Sequence, residues 1–169
     1  MNLTLIGMAG SGKSRVGTLL AKRLGYAFVD TDKRLEAAHG EPLQAILDRL
    51  GDEAFVRAEA GALLALAGID RAVIAPGGSA VYAEDAMRFL KRVSKVVWLY
   101  VPVDVIEARV DPSGRGIVGL KDRTFRELYA EREALYAAYA DYAVAVRDMT
   151  EEDAADLVLA ALAASGTAL

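Results

Sequence analysis

Short apolar runs and helix-period segments alternate along the whole chain. The runs at 3–6, 27–29, 72–75, 95–101 and 142–146 are too short for helices and rich in Val, Ile and aromatic residues, so each predicts a buried strand. Between them, apolar residues recur at helical spacing. Val16, Leu19, Leu20 and Leu24 stand at i, i+3, i+4 and i+8, with Gly25 as a stop, and further helices are predicted over 32–38, 43–50, 53–67, 83–91, 104–109, 125–138 and 151–164. Asp104 and Thr150 fall at N-cap positions, and Thr150-Glu151-Glu152-Asp153 reads as a capping box with Asp in its last place. Strands that alternate with helices predict an α/β fold whose mostly parallel sheet is covered on both faces. Ligands of such sheets collect at the carboxyl ends of the strands.

One segment breaks the pattern. Val110-Asp111-Pro112-Ser113-Gly114-Arg115-Gly116 carries Pro, two Gly and polar residues with no apolar period, and reads as a mobile loop.

The first strand runs into Gly7-Met8-Ala9-Gly10-Ser11-Gly12-Lys13-Ser14, which fills the pattern G-x-x-x-x-G-K-[ST] between a strand and a helix. Glycines let successive backbone N–H groups turn inward on a nucleoside polyphosphate. Lys13 adds a point charge near the β and γ phosphates, Ser14 offers a hydroxyl to magnesium, and the following helix aims its positive end at the same anion.

Length and charge narrow the function classes. With 169 residues, 54% of them apolar, the chain is expected to be a single domain over 1–169 with a real core. A net charge of −4 and scattered basic residues give no reason to expect a nucleic-acid partner. The absence of cysteine excludes disulfides, thiolate metal sites and a Cys nucleophile. Residues 1–6 are too short for the apolar core of a signal peptide and no run approaches a membrane span, so a cytoplasmic protein that needs no membrane is expected, and a monomer.

Other candidate residues gather at the strand ends. Asp30-Thr31-Asp32 follows the second strand, where one carboxylate can serve magnesium and the other a substrate hydroxyl, or either can simply cap the next helix. Ala75-Pro76-Gly77-Gly78-Ser79 closes the third strand and permits close backbone approach to a ligand, or makes an ordinary turn. Arg132 is the most telling single residue. It lies on the apolar stripe of Phe125, Leu128, Tyr129, Leu135, Tyr136 and Tyr139, and a core-facing guanidinium needs an anion, either a substrate carboxylate or an internal acid. Arg115 can close over phosphates from the loop and Arg109 can stack on a base, with a solvated surface role as the alternative for both. His39, the only histidine, reads as structural.

Taken together, the chain resembles the shikimate kinases over nearly its whole length. The likeness rests on the glycine loop from Gly7 to Ser14, D-T-D at Asp30 to Asp32, Gly77 with Gly78, a lid arginine at Arg115, and R-x-x-L-Y from Arg132 to Tyr136. It implies a three-layer P-loop fold with a five-stranded parallel sheet of the nucleoside-monophosphate-kinase type, order 2-3-1-4-5, and a mobile lid at about 110–121. It also implies ATP with magnesium, and phosphoryl transfer to the 3-hydroxyl of shikimate, a small hydroxy acid. Carried over by position, Gly10, Ser11, Gly12, Lys13, Ser14, Arg15, Arg109 and Arg115 would meet the nucleotide. Lys13, Asp32 and Arg115 would be catalytic, and Ser14 and Asp30 would hold magnesium. Asp32, Gly77, Gly78 and Arg132 would hold the acceptor.

The departures cluster on the acceptor side. The family pattern G-E-x-x-F-R-x-x-E meets Gly51-Asp52-Glu53-Ala54-Phe55-Val56-Arg57-Ala58-Glu59, so a second carboxylate-binding Arg falls on Val56. Arg57, about 100° further round the helix, is the candidate replacement. Ser79 stands for a third glycine, Gly116 for the lid proline, and Ala134 for the proline of R-x-P-L-Y. These changes leave two alternatives, a sister kinase for a gluconate-like or hydroxy-amino acid and a nucleotide-dependent switch. Against the switch, no N-K-x-D signature is present.

Overall fold

Strand β1 (Asn2–Ile6) has every residue buried, as a run without polar alternation requires of a strand covered on both faces. It sits at the centre of a five-stranded sheet of order β2-β3-β1-β4-β5, formed with β2 (Ala27–Asp30), β3 (Ala72–Ala75), β4 (Ser94–Tyr100) and β5 (Tyr142–Ala145). All pairings are parallel, with Leu3 opposite Val73 and Lys95, and Asp30 opposite Ala75. The computed structural model describes residues 1–110 and 116–166. Both the predicted fold class and the strand order are found.

Helices α1 (Lys13–Leu24), α2 (Thr31–His39), α3 (Leu43–Leu50), α4 (Asp52–Leu64), α5 (Glu84–Val93), α6 (Val103–Arg109), α7 (Phe125–Tyr139) and α8 (Glu151–Ala164) connect and cover the strands. α1 packs on α8 and against β2 and β3, while α4 packs on α5, and α5 and α7 lie against β4. Leu3, Leu5, Leu20, Val73, Ile74, Leu90, Val97, Leu128 and Val158 form the continuous core between them. A second, smaller cluster of Ile46, Leu47, Phe55 and Val118 ties α3 and α4 to the described part of the predicted lid.

Polar groups anchor the end of the sheet opposite the ligand edge. Asn2 donates to the carbonyls of Ile69 and Val93 and accepts from the Ala72 amide, so one side chain closes three otherwise open backbone groups. Nearby, the Thr4 and Ser94 hydroxyls pair at 2.7 Å within the core.

Most element ends agree with the sequence pattern, and the exceptions have local causes. Helix α4 stops at Leu64, short of the predicted residue 67, because the chain tightens into successive turns, Leu66 to Leu63 and Ala67 to Leu64, before Gly68. Asp104 does not cap α6. Pro102 occupies the cap, its fixed φ starting the helix, and Asp104 lies in the first turn, paired with Arg147. Thr150 does cap α8, in a capping box with Asp153, and an unforeseen second box, Thr124 with Glu127, starts α7. A single 3-10 turn at Ala80–Tyr82 was also not predicted.

Of the predicted lid, residues 111–115 lie outside the described residues. The described remainder is docked: the Gly116 amide donates to Gln44, the Gly119 amide to Asp52, and Ile117 and Val118 are buried.

Because the Thr124 cap orients the helix that carries Arg132, Thr124→Ala is expected to cost about 1 kcal/mol. Thermal unfolding checks it: the midpoint should fall by about 2–4 °C for a chain of this size, with a single transition retained.

Candidate active site

The glycine loop bends sharply at the carboxyl end of β1. Gly10 and Gly12 have φ of +82° and +91°, and a Cβ on Gly10 would come within 2.2 Å of Val110. Here the glycine is required on two grounds, backbone conformation and space. Gly12 takes the cap position of α1 without offering a side-chain cap, so the first amides of the helix are left for an anion. The Ser11 hydroxyl is buried inside the cradle with no partner among the described residues, a polar atom free to meet a ligand.

Lys13 folds back on the loop. Its ammonium donates to the carbonyls of Gly7 and Met8 at 2.8 and 2.9 Å, which uses two of three donors and leaves one for a ligand. Burial holds Lys13 down to about 8, against the attraction of Asp32 and Asp30.

Asp30 takes the capping role and makes a second contact besides. It caps α2 by accepting from the Lys33 amide, and its other oxygen accepts from the Ser14 hydroxyl at 2.8 Å. Asp32, in the first turn of α2, lies within electrostatic reach of Lys13. Burial pushes its carboxyl up to about 6, with Lys13 pulling the other way.

These residues line a cleft of about 800 Å³ that runs from Gly10 to Arg15, past Asp30, Asp32, Ala75 and Pro76, to Arg109, Val146, Met149, Thr150 and Glu151. The volume suits a nucleoside triphosphate. Arg109 is exposed on its wall. Arg15 also borders the cleft, though its side chain is 80% exposed and paired with Glu151 at 2.9 Å. The wall from Val146 to Glu151 was not anticipated, although it leaves the sheet at the same edge as the other ligand loops and the parallel-sheet rule pointed there.

A smaller cavity of about 50 Å³ adjoins the cleft and is lined by Ala9, Phe55, Gly77, Gly78, Val118 and Arg132 among others. Lys13 and Asp32 line both spaces. Arg132 is 1% exposed; its guanidinium donates to the Val118 carbonyl at 2.8 Å, sits over the Tyr82 ring, and reaches the Tyr82 hydroxyl at 3.4 Å. Among the described residues no carboxylate lies within ion-pair distance of it, which removes the internal acid as its partner. A desolvated cation without a counter-charge favours an anionic ligand in the cavity beside it.

Gly77 lines this cavity, and its lack of a side chain also makes space. A Cβ there would stand 2.1 Å from Glu59 Oε1 and 2.6 Å from Asp32 Oδ1, so the bare backbone makes room for two carboxyl groups. Gly78 does the same for Arg132, and its carbonyl accepts from the Tyr136 hydroxyl at 2.7 Å.

One predicted site residue is not brought to this place. Arg57 has its side chain 72% exposed and pairs loosely with Glu53, because one step along α4 turns it away from the buried face of Phe55 and Glu59. Arg115 lies outside the described residues. Glu59 was missed, although Phe55, Glu59 and Leu63 stand at i, i+4 and i+8, so an acid on an apolar stripe was the same signal that singled out Arg132.

A sheet of order 2-3-1-4-5 with a glycine loop on β1, a cleft for a nucleotide and an adjoining cavity for a second reactant defines a P-loop small-molecule kinase. The comparisons with known proteins agree. The shikimate kinase family model matches residues 9–163. The shikimate kinase of Moorella thermoacetica is 40% identical over 138 residues, 80% of each chain, and that of Gloeobacter violaceus is 39% identical over 141 residues, 81% of this chain and 79% of the other. The structure of a shikimate kinase from Acinetobacter baumannii in complex with shikimate superposes with a TM-score of 0.90 at 29% identity, covering 97% of this chain and 93% of that one. The chain belongs to the shikimate kinase family.

Two outcomes test this geometry. Gly10→Ala is expected to weaken ATP binding at least about tenfold in a calorimetric titration, since a φ of +82° and the Val110 contact both oppose a side chain. Arg57→Ala is expected to leave the KM of the acceptor within about twofold, as an exposed, loosely paired arginine contributes little.

Proposed function

We propose that the chain transfers the γ-phosphoryl group of ATP to the 3-hydroxyl of shikimate. The observation that carries this is the meeting of two spaces at Lys13 and Asp32: a nucleotide-sized cleft ending in the glycine loop, and a small cavity that presents a buried guanidinium with no ion-pair partner among the described residues.

In this reading the amides from Gly10 to Ser14 hold the phosphates and the ammonium of Lys13 neutralises charge on the moving group. Arg115 would add a second cation from the lid. Asp32 accepts a hydrogen bond from the acceptor hydroxyl and points its oxygen at the phosphorus. Arg132 fixes the acceptor by its acid group, with Gly78 beneath it. Because phosphoryl transfer asks mainly for alignment and charge neutralisation, this set of residues suffices for the chemistry.

The Ser14 hydroxyl and the Asp30 carboxylate, 2.8 Å apart on the cleft wall, fit magnesium. They are hard oxygen donors few in number, and no cluster of three or more acidic or His side chains is present among the described residues, as suits an ion that keeps waters and phosphate oxygens as its other ligands. When bound, magnesium would screen the charge of the phosphates.

Val56 supports a second reading. It removes one guanidinium from the acceptor side without replacement by Arg57, so a hydroxy acid other than shikimate would also meet the remaining Arg132. No described helix is long and apolar enough to cross a membrane, and the reactants of this activity are small and water-soluble, in keeping with a cytoplasmic enzyme.

An ATP-consumption assay over a panel of hydroxy acids, with shikimate and quinate side by side, separates the readings. Turnover is expected with shikimate, and turnover with gluconate or a hydroxy-amino acid in its place would shift the assignment to the second. Lys13→Ala is expected to abolish turnover. Arg132→Ala is expected to raise the KM of shikimate about ten- to a hundredfold, the loss of one charge-assisted pair, with a smaller change in kcat.

A further inference from the structure

Glu59 is buried, 1% exposed, and lines the same cavity as Arg132. Its Oε2 accepts a hydrogen bond from the Ser79 hydroxyl, itself buried. Among the described residues no cation stands within ion-pair distance of it, and Val56, where the family pattern carries an arginine, packs instead against the apolar cluster of Ile46, Leu47, Phe55 and Val118. Oε1 faces Gly77, close to Asp32 Oδ1. The two departures at positions 56 and 79 therefore meet on one side chain: a cation is missing and a hydroxyl has been gained.

A carboxylate in that setting has one neutral donor and no cation at ion-pair distance among the described residues, too little to offset its lost hydration. Protonated, the same group is well served. Ser79 donates to Oε2, and Oε1 carries a proton that it can give to a ligand oxygen in the cavity.

We propose that Glu59 and Ser79 form an uncharged hydroxyl-binding pair in the acceptor pocket, so that the acceptor's acid group is held by Arg132 alone and its remaining hydroxyls are read by a neutral carboxylic acid. The proposal rests on the kinase reading above and names a further specificity-determining contact of that same site. It has an electrostatic consequence. Burial pushes the Glu59 carboxyl up to about 8, with Asp32 raising it and Ser79, Arg132 and Lys13 pulling it down. The ionisable groups that face it are Lys13 at the start of α1, Asp32 on α2, and Arg132 with Tyr136 on α7. Because the folded value lies above the ordinary 4.5, the native state binds the extra proton, and stability is lost as pH rises from about 4.5 through about 8.

The test compares the wild type with Glu59→Ala, Glu59→Gln and Ser79→Ala. The KM of shikimate is expected to rise about tenfold in Glu59→Ala, to return most of the way in Glu59→Gln at pH 7, and to rise several-fold in Ser79→Ala. Above pH 8 the wild-type KM should climb about tenfold per pH unit relative to that of Glu59→Gln. A failure of Glu59→Gln to rescue at pH 7 would mean that the anion is the working form and would overturn the proposal. An independent arm needs no substrate: the melting temperature of Glu59→Gln should gain on that of the wild type between pH 5 and pH 9, and a constant difference would contradict a neutral Glu59. Should the wild type turn over no shikimate, the acceptor reading itself fails, while the melting comparison still decides the charge of the pair.

Discussion

Parallel pairing of β1 between β3 and β4 is the constraint on which the site depends. Register sets Leu3 against Val73 and Lys95 and brings Asp30 level with Ala75. The loops that leave β1, β2 and β3 therefore emerge on one edge within reach of each other. Antiparallel pairing of any of them would send its loop to the opposite edge. The glycine loop, the two aspartates and the Gly77-Gly78-Ser79 turn need no further device to meet, and a slip of one register step would turn every buried side chain of β1 to the other face. The Asn2 hydrogen bonds at the far edge, to Ile69, Val93 and Ala72, hold that register at the other end of the strand.

Charge is the second organising quantity. The chain buries Arg132 and Glu59 in the lining of one cavity and places Lys13 and Asp32 where it adjoins the nucleotide cleft, without an ion pair linking any of the four within 4 Å. Burial lowers the lysine and raises both acids, Glu59 the furthest. An incoming polyphosphate and an acid acceptor supply the missing negative partners for Lys13 and Arg132. Ground-state desolvation of the protein's cations is thus offset by the reactants themselves, which is how the fold can keep these groups dry and still select for anions.

The fold was legible in the sequence almost throughout, because each strand is a short apolar run and each helix shows a clear stripe. The ends that differ, at α4 and α6, turn on local tightening after Leu64 and on Pro102, where neighbouring geometry outweighs propensity. The nucleotide half of the site was legible as well, since a contiguous loop writes its function in consecutive residues. The acceptor half comes from four separate elements, and only residues that violate the apolar pattern reveal themselves there. Arg132 was seen for that reason, and Glu59 carries the same signal on α4. That Arg57 points outward follows from one step of helical rotation, but that Ser79 answers Glu59 depends on a contact between residues 20 positions apart, which no spacing rule encodes.

A crystal structure of the protein with ADP and shikimate tests the central claim most directly. The account predicts the shikimate carboxylate within hydrogen-bond distance of the Arg132 guanidinium, one ring hydroxyl on Asp32 and turned toward the terminal phosphate, and the Arg57 side chain still in solvent. Shikimate found outside the cavity, or seated with its carboxylate away from Arg132, would contradict it.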